Sequence, residues 1–303
     1  PGAADSAAVP TNADIVYFNA SSGASTVTLS QVGGCSCSKL ICTGFTGTFA
    51  GSVTLYVYGD TVTFASTMSG TTTGHIGDLS FQGNGVVNLT SGGKEIRESP
   101  HNVQSDTYLN LLDNTTFNNS HCDFGTNGLG LDANGFNVVF DSAYVYYKRY
   151  GSTTVPNFTY APSTGTSSNY VYLYSDLTVT GTFTANGTSS ATLGRIRISS
   201  DTIGTQRTIT AATVAASYVD FRETIGAGAG SWNLSAITGG SGDMQGNSSI
   251  TFTTPVHQHW TNVNGGNWSD SANWTSRVPL PQDDVIFDTN FGTSKTVTVD
   301  KVN

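Results

Sequence analysis

Leu55-Tyr56-Val57-Tyr58-Gly59-Asp60-Thr61-Val62-Thr63-Phe64 alternates apolar and polar residues on either side of a Gly-Asp corner. Alternation with period two marks a half-buried strand, and Gly-Asp turns the chain between two such strands. The same unit returns along the sequence. Leu79-Ser80-Phe81-Gln82-Gly83-Asn84 leads into Val86-Val87-Asn88-Leu89-Thr90, and Leu109-Asn110-Leu111-Leu112-Asp113-Asn114 follows. Leu129-Gly130-Leu131-Asp132-Ala133-Asn134-Gly135 and Tyr172-Leu173-Tyr174-Ser175-Asp176 continue the series. Unit starts at Leu55, Leu79, Leu109 and Leu129 give a period of about 20–30 residues, the mark of stacked coils. One coil cannot bury its apolar side chains alone, whereas neighbours in a stack share a core. The pattern predicts an all-β chain built as a parallel β-helix, or β-solenoid, with terminal strand elements. A jelly roll or tandem β-sandwiches is the alternative, with similar turn signals at closer spacing.

Composition agrees. The 303 residues include 35 Gly, and only 11% are charged, against roughly 25% in ordinary soluble domains. Thr, Ser and Asn are abundant and suit pleated ladders and tight corners. The one stretch that resembles a helix, Ala211 to Arg222, carries Thr, Val and Tyr and reads as strand. Hydrophobic residues make up 37% and aromatics 11%, enough for a core and too many for a disordered chain. Twelve Lys and Arg against 21 Asp and Glu give a net charge of −9, the wrong sign for a nucleic-acid partner. No run of 18 apolar residues is present, so no membrane span is expected. Pro1-Gly2-Ala3-Ala4-Asp5 has neither the basic nor the apolar region of a signal peptide. The expectation is therefore a removed signal or a chain that begins inside a longer protein. Asn-x-Ser/Thr sites at Asn19, Asn88, Asn114, Asn118, Asn157, Asn186, Asn233, Asn247, Asn267 and Asn273 permit a glycosylated, extracellular surface.

Two distant stretches match. Val9-Pro10-Thr11-Asn12-Ala13-Asp14-Ile15-Val16-Tyr17-Phe18 precedes Gly23-Ala24-Ser25-Thr26-Val27-Thr28-Leu29. Val278-Pro279-Leu280-Pro281-Gln282-Asp283-Asp284-Val285-Ile286-Phe287 precedes Gly292-Thr293-Ser294-Lys295-Thr296-Val297-Thr298-Val299. The second copy lies 269 residues after the first, with one residue of slip in the turn. Each copy reads as strand–turn–strand. Val16 and Phe18, like Val285 and Phe287, share a face; Pro10 and Pro279 fix the entry; Asp14 and Asp283 cap the turn. The division expected from this is a strand element at 1–34, a solenoid body at 35–256, and a Trp-rich cap with the repeated element at 257–303.

Ahead of the second copy stands His259-Trp260, then Gly266-Asn267-Trp268-Ser269-Asp270-Ser271-Ala272-Asn273-Trp274. Behind the first stands Cys37-Ser38-Lys39-Leu40-Ile41-Cys42-Thr43-Gly44-Phe45-Thr46-Gly47-Thr48. Read across a joint, the order is G-N-W-S-D-x-x-N-W, V-P-x-x-x-D-x-V-x-F, then C-T-G-F-T-G-T. This order resembles the repeat modules of large surface and virion β-solenoid proteins of bacteria and their phages. The likeness is specific near the two ends and compositional between them. Cys35 and the short connection Thr275-Ser276-Arg277 depart from the pattern, and Pro1 to Ala8 resembles the tail of a linker. The resemblance implies a secreted or virion structural repeat, with no catalytic residues to carry over.

Other side chains offer candidate chemistry. Asp113, Asp123, Asp132 and Asp141 are candidate glycosidase carboxylates, yet each sits beside turn-forming residues. Arg195-Ile196-Arg197 reads as a strand whose outward charges discourage edge pairing. His257-Gln258-His259 offers two imidazoles on one face, and Asp283, Asp284 and Asp288 offer a Ca²⁺ candidate; no other cofactor is expected. Cys35, Cys37, Cys42 and Cys122, even with His121 or His75, lack a standard zinc spacing. A Cys37–Cys42 disulfide or buried free thiols are the two readings left. Trp260, Trp268 and Trp274, with Trp232 farther off, fit either a cap for the coil stack or a sugar-stacking surface. Tyr144, Tyr146, Tyr147 and Tyr150 read as a strand, half core and half surface. The function expected is a non-enzymatic extracellular structural module, on a cell surface or virion, partnered head-to-tail by copies of itself. The alternative is a carbohydrate-binding or polysaccharide-depolymerising tailspike-like protein, whose partner is a surface polysaccharide.

Overall fold

A computed structural model of the chain describes residues 9–51, 53–69, 78–97, 107–124, 130–149, 154–163, 169–189, 194–288 and 295–300. Among these, every regular element is a strand apart from two short 3₁₀ turns, and no helix is long and apolar enough to cross a membrane. Each of two compact units is a β-solenoid. The first holds residues 1–138 and 150–153, the second 139–149 and 154–303.

In the first unit one side of the coils is the sheet β1 (Ile15–Asn19), β4 (Lys39–Thr43), β7 (Thr61–Thr63), β9 (Gly85–Thr90), β11 (Thr107–Leu111) and β13 (Gly130–Asp132), in that order. A second side pairs β2 (Thr26–Leu29) with β5 (Thr48–Gly51), and a third pairs β3 (Cys35–Cys37), β6 (Thr54–Val57) and β8 (Asp78–Phe81). Lower in the stack, β10 (Glu95–Ile96) pairs with β12 (Thr115–Asp123). All these ladders are parallel. Register puts Val16, Leu40, Val62, Leu89 and Leu111 in one column. The last four of these are at most 2% exposed. Each such side chain contributes about 1.5–3 kcal/mol by burial, which no single coil obtains alone. Leu55 and Leu79, read as unit starts in the sequence, sit directly over one another. The Gly-Asp corner also has its cause: the Gly59 N–H donates to the Ser38 carbonyl (2.7 Å), and a Cβ at Gly59 would lie 2.5 Å from that oxygen. Leu129, one expected unit start, and His75, Tyr150 and Pro1 to Ala8 lie outside the described residues.

The second unit has β14 (Val138–Tyr147, from Val139 onward), whose half Tyr144–Tyr147 pairs with β16 (Asn169–Leu173). There follow β18 (Ile196–Ser200), β20 (Val219–Arg222) and β22 (Ser241–Asp243). The other side carries β15 (Phe158–Tyr160), β17 (Leu177–Asn186), β19 (Arg207–Ser217) and β21 (Thr224–Ala227), again parallel. Val145, Val171, Ile198 and Phe221 form the core column of the first side. Phe158 stacks on Phe183 at 5.8 Å, and Trp232 closes the column against Phe183 and Phe221. The stretch Ala211 to Arg222 is strand, as its β-branched content required, broken at Tyr218 by a left-handed φ of 46°. Tyr147 is buried and Tyr144 and Tyr146 half-buried, the division expected of that strand.

The strands within 1–34, β1 and β2, pair with β4 and β5. One expectation is corrected here. Arg195 and Arg197 do not guard an edge, since β18 is flanked by β16 and β20. The Arg195 guanidinium instead pairs with Asp220 at 2.5 Å and donates to the carbonyls of Val219, Gly239 and Gly240. Arg197 lies over the Tyr170 ring, 5.8 Å from its centroid.

Candidate assembly interface

Where both are described, the matching stretches fold alike. In the first copy the Thr11 N–H donates to Asp14 Oδ2 (2.8 Å) and the Asp14 N–H to the Thr11 carbonyl (3.1 Å). In the second the Leu280 N–H donates to Asp283 Oδ2 (2.8 Å) and the Asp283 N–H to the Leu280 carbonyl (2.9 Å). Both Asp side chains therefore close the same turn at the same position, and a strand follows each: β1 after Asp14, β25 (Asp284–Ile286) after Asp283. The second strands also correspond, β2 in the first copy and β26 (Val297–Thr298) in the second. The turn residues Gly292 to Ser294 lie outside the described residues.

What differs is the side that is covered. Among the described residues β1 ends its sheet and pairs only with the strand that follows it, β4; the Ser38 N–H donates to the Asp14 carbonyl (2.7 Å). β25 pairs with a strand that precedes it, β23 (His257–His259), and β26 pairs with β24 (Gly266–Asn267), both parallel. There the Asp284 N–H donates to the Val256 carbonyl (3.2 Å) and the Trp260 N–H to the Ile286 carbonyl (3.0 Å). Backbone groups alternate sides along a strand, so the positions matching Asp284 and Ile286, namely Ile15 and Tyr17, face away from β4. Ile15 is 45% exposed and Tyr17 62%.

The rings follow the same division. Phe18 packs on Phe45 and Phe49 of the next coil at 5.1 and 5.4 Å. Phe287 packs on Trp260 and Trp274 at 6.0 and 6.2 Å, from the coil before it. Beside Phe18 lies an apolar cavity of about 290 Å³ lined by Val9, Pro10, Val16, Val27, Leu29, Cys37, Leu40, Phe49 and Leu55.

The Trp-rich stretch that covers β25 and β26 has a role for most of its motif residues. Trp260 and Trp274 are buried and meet edge-to-face at 4.9 Å; Trp268 meets Trp274 at 4.7 Å. The Trp274 indole N–H donates to the Trp268 carbonyl, and the Trp260 indole N–H to the Asn262 carbonyl. Asp270 caps the 3₁₀ turn Ser271–Asn273. Buried Asn273 donates to the Asn267 carbonyl and accepts from Asn262. Ser269 donates its N–H to Asp300 (2.9 Å), and the Trp268 N–H reaches the Thr298 carbonyl (2.8 Å). Gly265, at φ +80°, stands where a Cβ would strike the Thr296 carbonyl oxygen.

The remaining candidates resolve one by one. Cys37, in β3, and Cys42, in β4, are buried free thiols rather than a disulfide. Burial pushes both thiols up to about 12. Asp283, Asp284 and Asp288 do not converge as a Ca²⁺ site: they pair separately with Arg277 (2.6 Å), His257 (3.0 Å) and His259 (3.5 Å). Those two imidazoles each meet one carboxylate, and no group of three or more His, Cys, Asp or Glu that could hold a metal occurs among the described residues. Asp113 accepts the Ser91 and Gly92 N–H groups, Asp132 caps its own turn at Asn134, and Asp141 binds Ser163, each a structural contact. Asp123 is buried. Of the sequons, Asn19, Asn114, Asn157, Asn186, Asn233 and Asn267 are exposed. The amide nitrogens of Asn88, Asn118, Asn247 and Asn273 donate to Asp60, Glu95, Phe221 and Asn267, so a glycan there would break a contact of the fold.

Sequence reasoning missed two surfaces. Tyr144, Tyr146, Tyr170, Tyr172 and Tyr174 form a half-exposed ladder with rings 4.6–6.3 Å apart. A groove of about 560 Å³ in the second unit is lined by Arg195, Tyr218, Trp268, Asp270, Arg277 and Pro279 among others. Equal Tyr spacing in successive coils was a usable signal for the ladder; the groove had none. No protein-family model, no curated protein and no solved structure matches the chain.

Proposed function

We propose that the chain is a non-enzymatic structural module of an extracellular cell-surface or virion protein. In this reading it stacks head-to-tail with copies of itself, as a fibre or as successive modules. One observation carries it: the same strand–turn–strand is used 269 residues apart and is covered on opposite sides in its two copies. Open strand edges and uncapped coils are ordinarily protected, because they template pairing with another chain. A surface that repeats with an offset and does not close on itself builds a linear array. The low charge and the resemblance to surface and virion repeats support the same reading. Electron microscopy of the purified chain tests it. Linear assemblies with an axial repeat of one module are expected; a uniformly monomeric particle at high concentration would count against self-stacking.

The groove favours a second reading, a carbohydrate-binding surface. Half-buried Trp268 and Tyr218 both line it, and flat aromatic faces suit a pyranose ring. Its one lining carboxylate, Asp270, is engaged in capping the turn Ser271–Asn273, which supports binding over cleavage. Loss of polysaccharide binding in Trp268→Ala, with the fold retained, would select this reading.

A further inference from the structure

We infer that the Trp-rich coil is a seat for either copy of the repeated element. Residues 9–29 of one chain can then replace β25 and β26 on the Trp-rich coil of a second chain. This rests on the head-to-tail reading and gives it a contact. Each copy displays one half of a complete joint. Around Phe287 the preceding side is filled by Trp260 and Trp274; around Phe18 the following side is filled by Phe45 and Phe49. In the exchanged joint one ring would be packed on both sides, by Trp from the seat and by Phe from its own following coil.

The polar groups agree with the rings. On the seat, Asp283 accepts the Val256 N–H (2.9 Å) and pairs with Arg277 (2.6 Å) in addition to closing its own turn. Asp14 closes the same turn with Oδ2, is fully exposed, and hydrogen bonding to Thr11 holds its carboxyl below the usual range. It thus presents a charged carboxylate where the seat supplies a cation and an N–H. The ladder groups at Ile15 and Tyr17 correspond to those of Asp284 and Ile286 that bind Val256 and Trp260. Exchange trades a thin element, in which Phe287 and Val299 remain 47% and 69% exposed, for one backed by a full coil stack. It also covers Val9 and Tyr17, which are 60% and 62% exposed.

Sedimentation of the full chain over a concentration series tests this with two substitutions of opposite expected effect. Ile15→Pro removes the edge N–H without touching the bonds to β4, and should weaken self-association about tenfold, the equivalent of one hydrogen bond. Asp284→Pro removes the N–H that holds the resident element, frees the seat, and should strengthen association by about the same factor. Circular dichroism and Trp fluorescence check that both variants remain folded; Phe287→Ser is a milder way to loosen the resident element. A mixture of Tyr17→Cys and His259→Cys chains should give a disulfide-linked dimer that neither gives with wild type. Assemblies that persist unchanged in Ile15→Pro would overturn the seat while leaving the structural-module reading intact. A monomeric Asp284→Pro chain with no mixed crosslink would overturn the exchange outright. Linear assemblies of the native material would then have to use another surface.

Discussion

The Phe287 ring lies 6.0 Å from Trp260, in the coil before it, whereas Phe18 at the matching position packs on Phe45 and Phe49, in the coil after it. One sequence element therefore occurs in two half-completed environments. The pattern V-P-x-x-x-D-x-V-x-F suits both, because its Asp closes a local turn and its apolar side chains need only parallel neighbours.

Trp274 is 4% exposed and contacts Trp260, Trp268 and Phe287. Trp274→Ala removes the centre of that cluster and should cost about 3–5 kcal/mol of local stability. Hydrogen exchange should show residues 257–300 losing protection, with the column around Val145 and Ile198 unchanged. Equal loss in both regions would mean that the Trp-rich coil is not a separable layer.

Gly265→Ala should act on the joint alone. The residue needs φ +80°, and its missing Cβ makes room for the Thr296 carbonyl. Substitution should cost about 1 kcal/mol or more in backbone strain and displace β26 from β24. Faster limited proteolysis within 288–303, at unchanged global melting, is the expected result.

Arg195 and Asp220 form a pair whose side chains are 11% and 4% exposed. Removing one partner leaves the other charge buried, at a cost of about 3–5 kcal/mol. Asp220→Asn should therefore shift the denaturant midpoint strongly, while Lys39→Ala, at the exposed Lys39–Asp60 pair, should change stability by about 1 kcal/mol or less. Similar effects of the two substitutions would refute this ranking.

The Cys37 and Cys42 thiols are raised by burial from 9.0 to about 12. A raised thiol pKa favours the neutral form in the folded chain. The associated stability is complete below pH 9 and is lost as pH rises from 9 towards 12, where the unfolded chain ionises first. Denaturation midpoints should accordingly fall across that window. At neutral pH a thiol reagent should modify half-buried Cys35 readily and reach buried Cys37, Cys42 and Cys122 only on unfolding. Rapid labelling of all four in the native chain would contradict this.

The coil period was legible in the sequence because burial enforces it: an apolar residue must return to the column of Leu40, Val62, Leu89 and Leu111 on every circuit. Gly59-Asp60 was legible as a corner because Gly and Asp are turn residues, and the matched ends were legible because Asp14 and Asp283 act within four residues of chain. Arg195 misled, since an alternating charged strand looks the same at an edge and in the middle of a sheet until Asp220 is placed beside it. The sequons misled in part, because a motif does not reveal that the Asn273 side chain is committed to Asn267. Local patterning and periodic burial thus determined strands, corners and stacking. Tertiary structure alone decided which side of each repeated strand is covered. That depends on Phe287 meeting Trp260 and Trp274 in the coil before it and on Phe18 meeting Phe45 in the coil after it, a direction along the stack that the repeated motif does not encode.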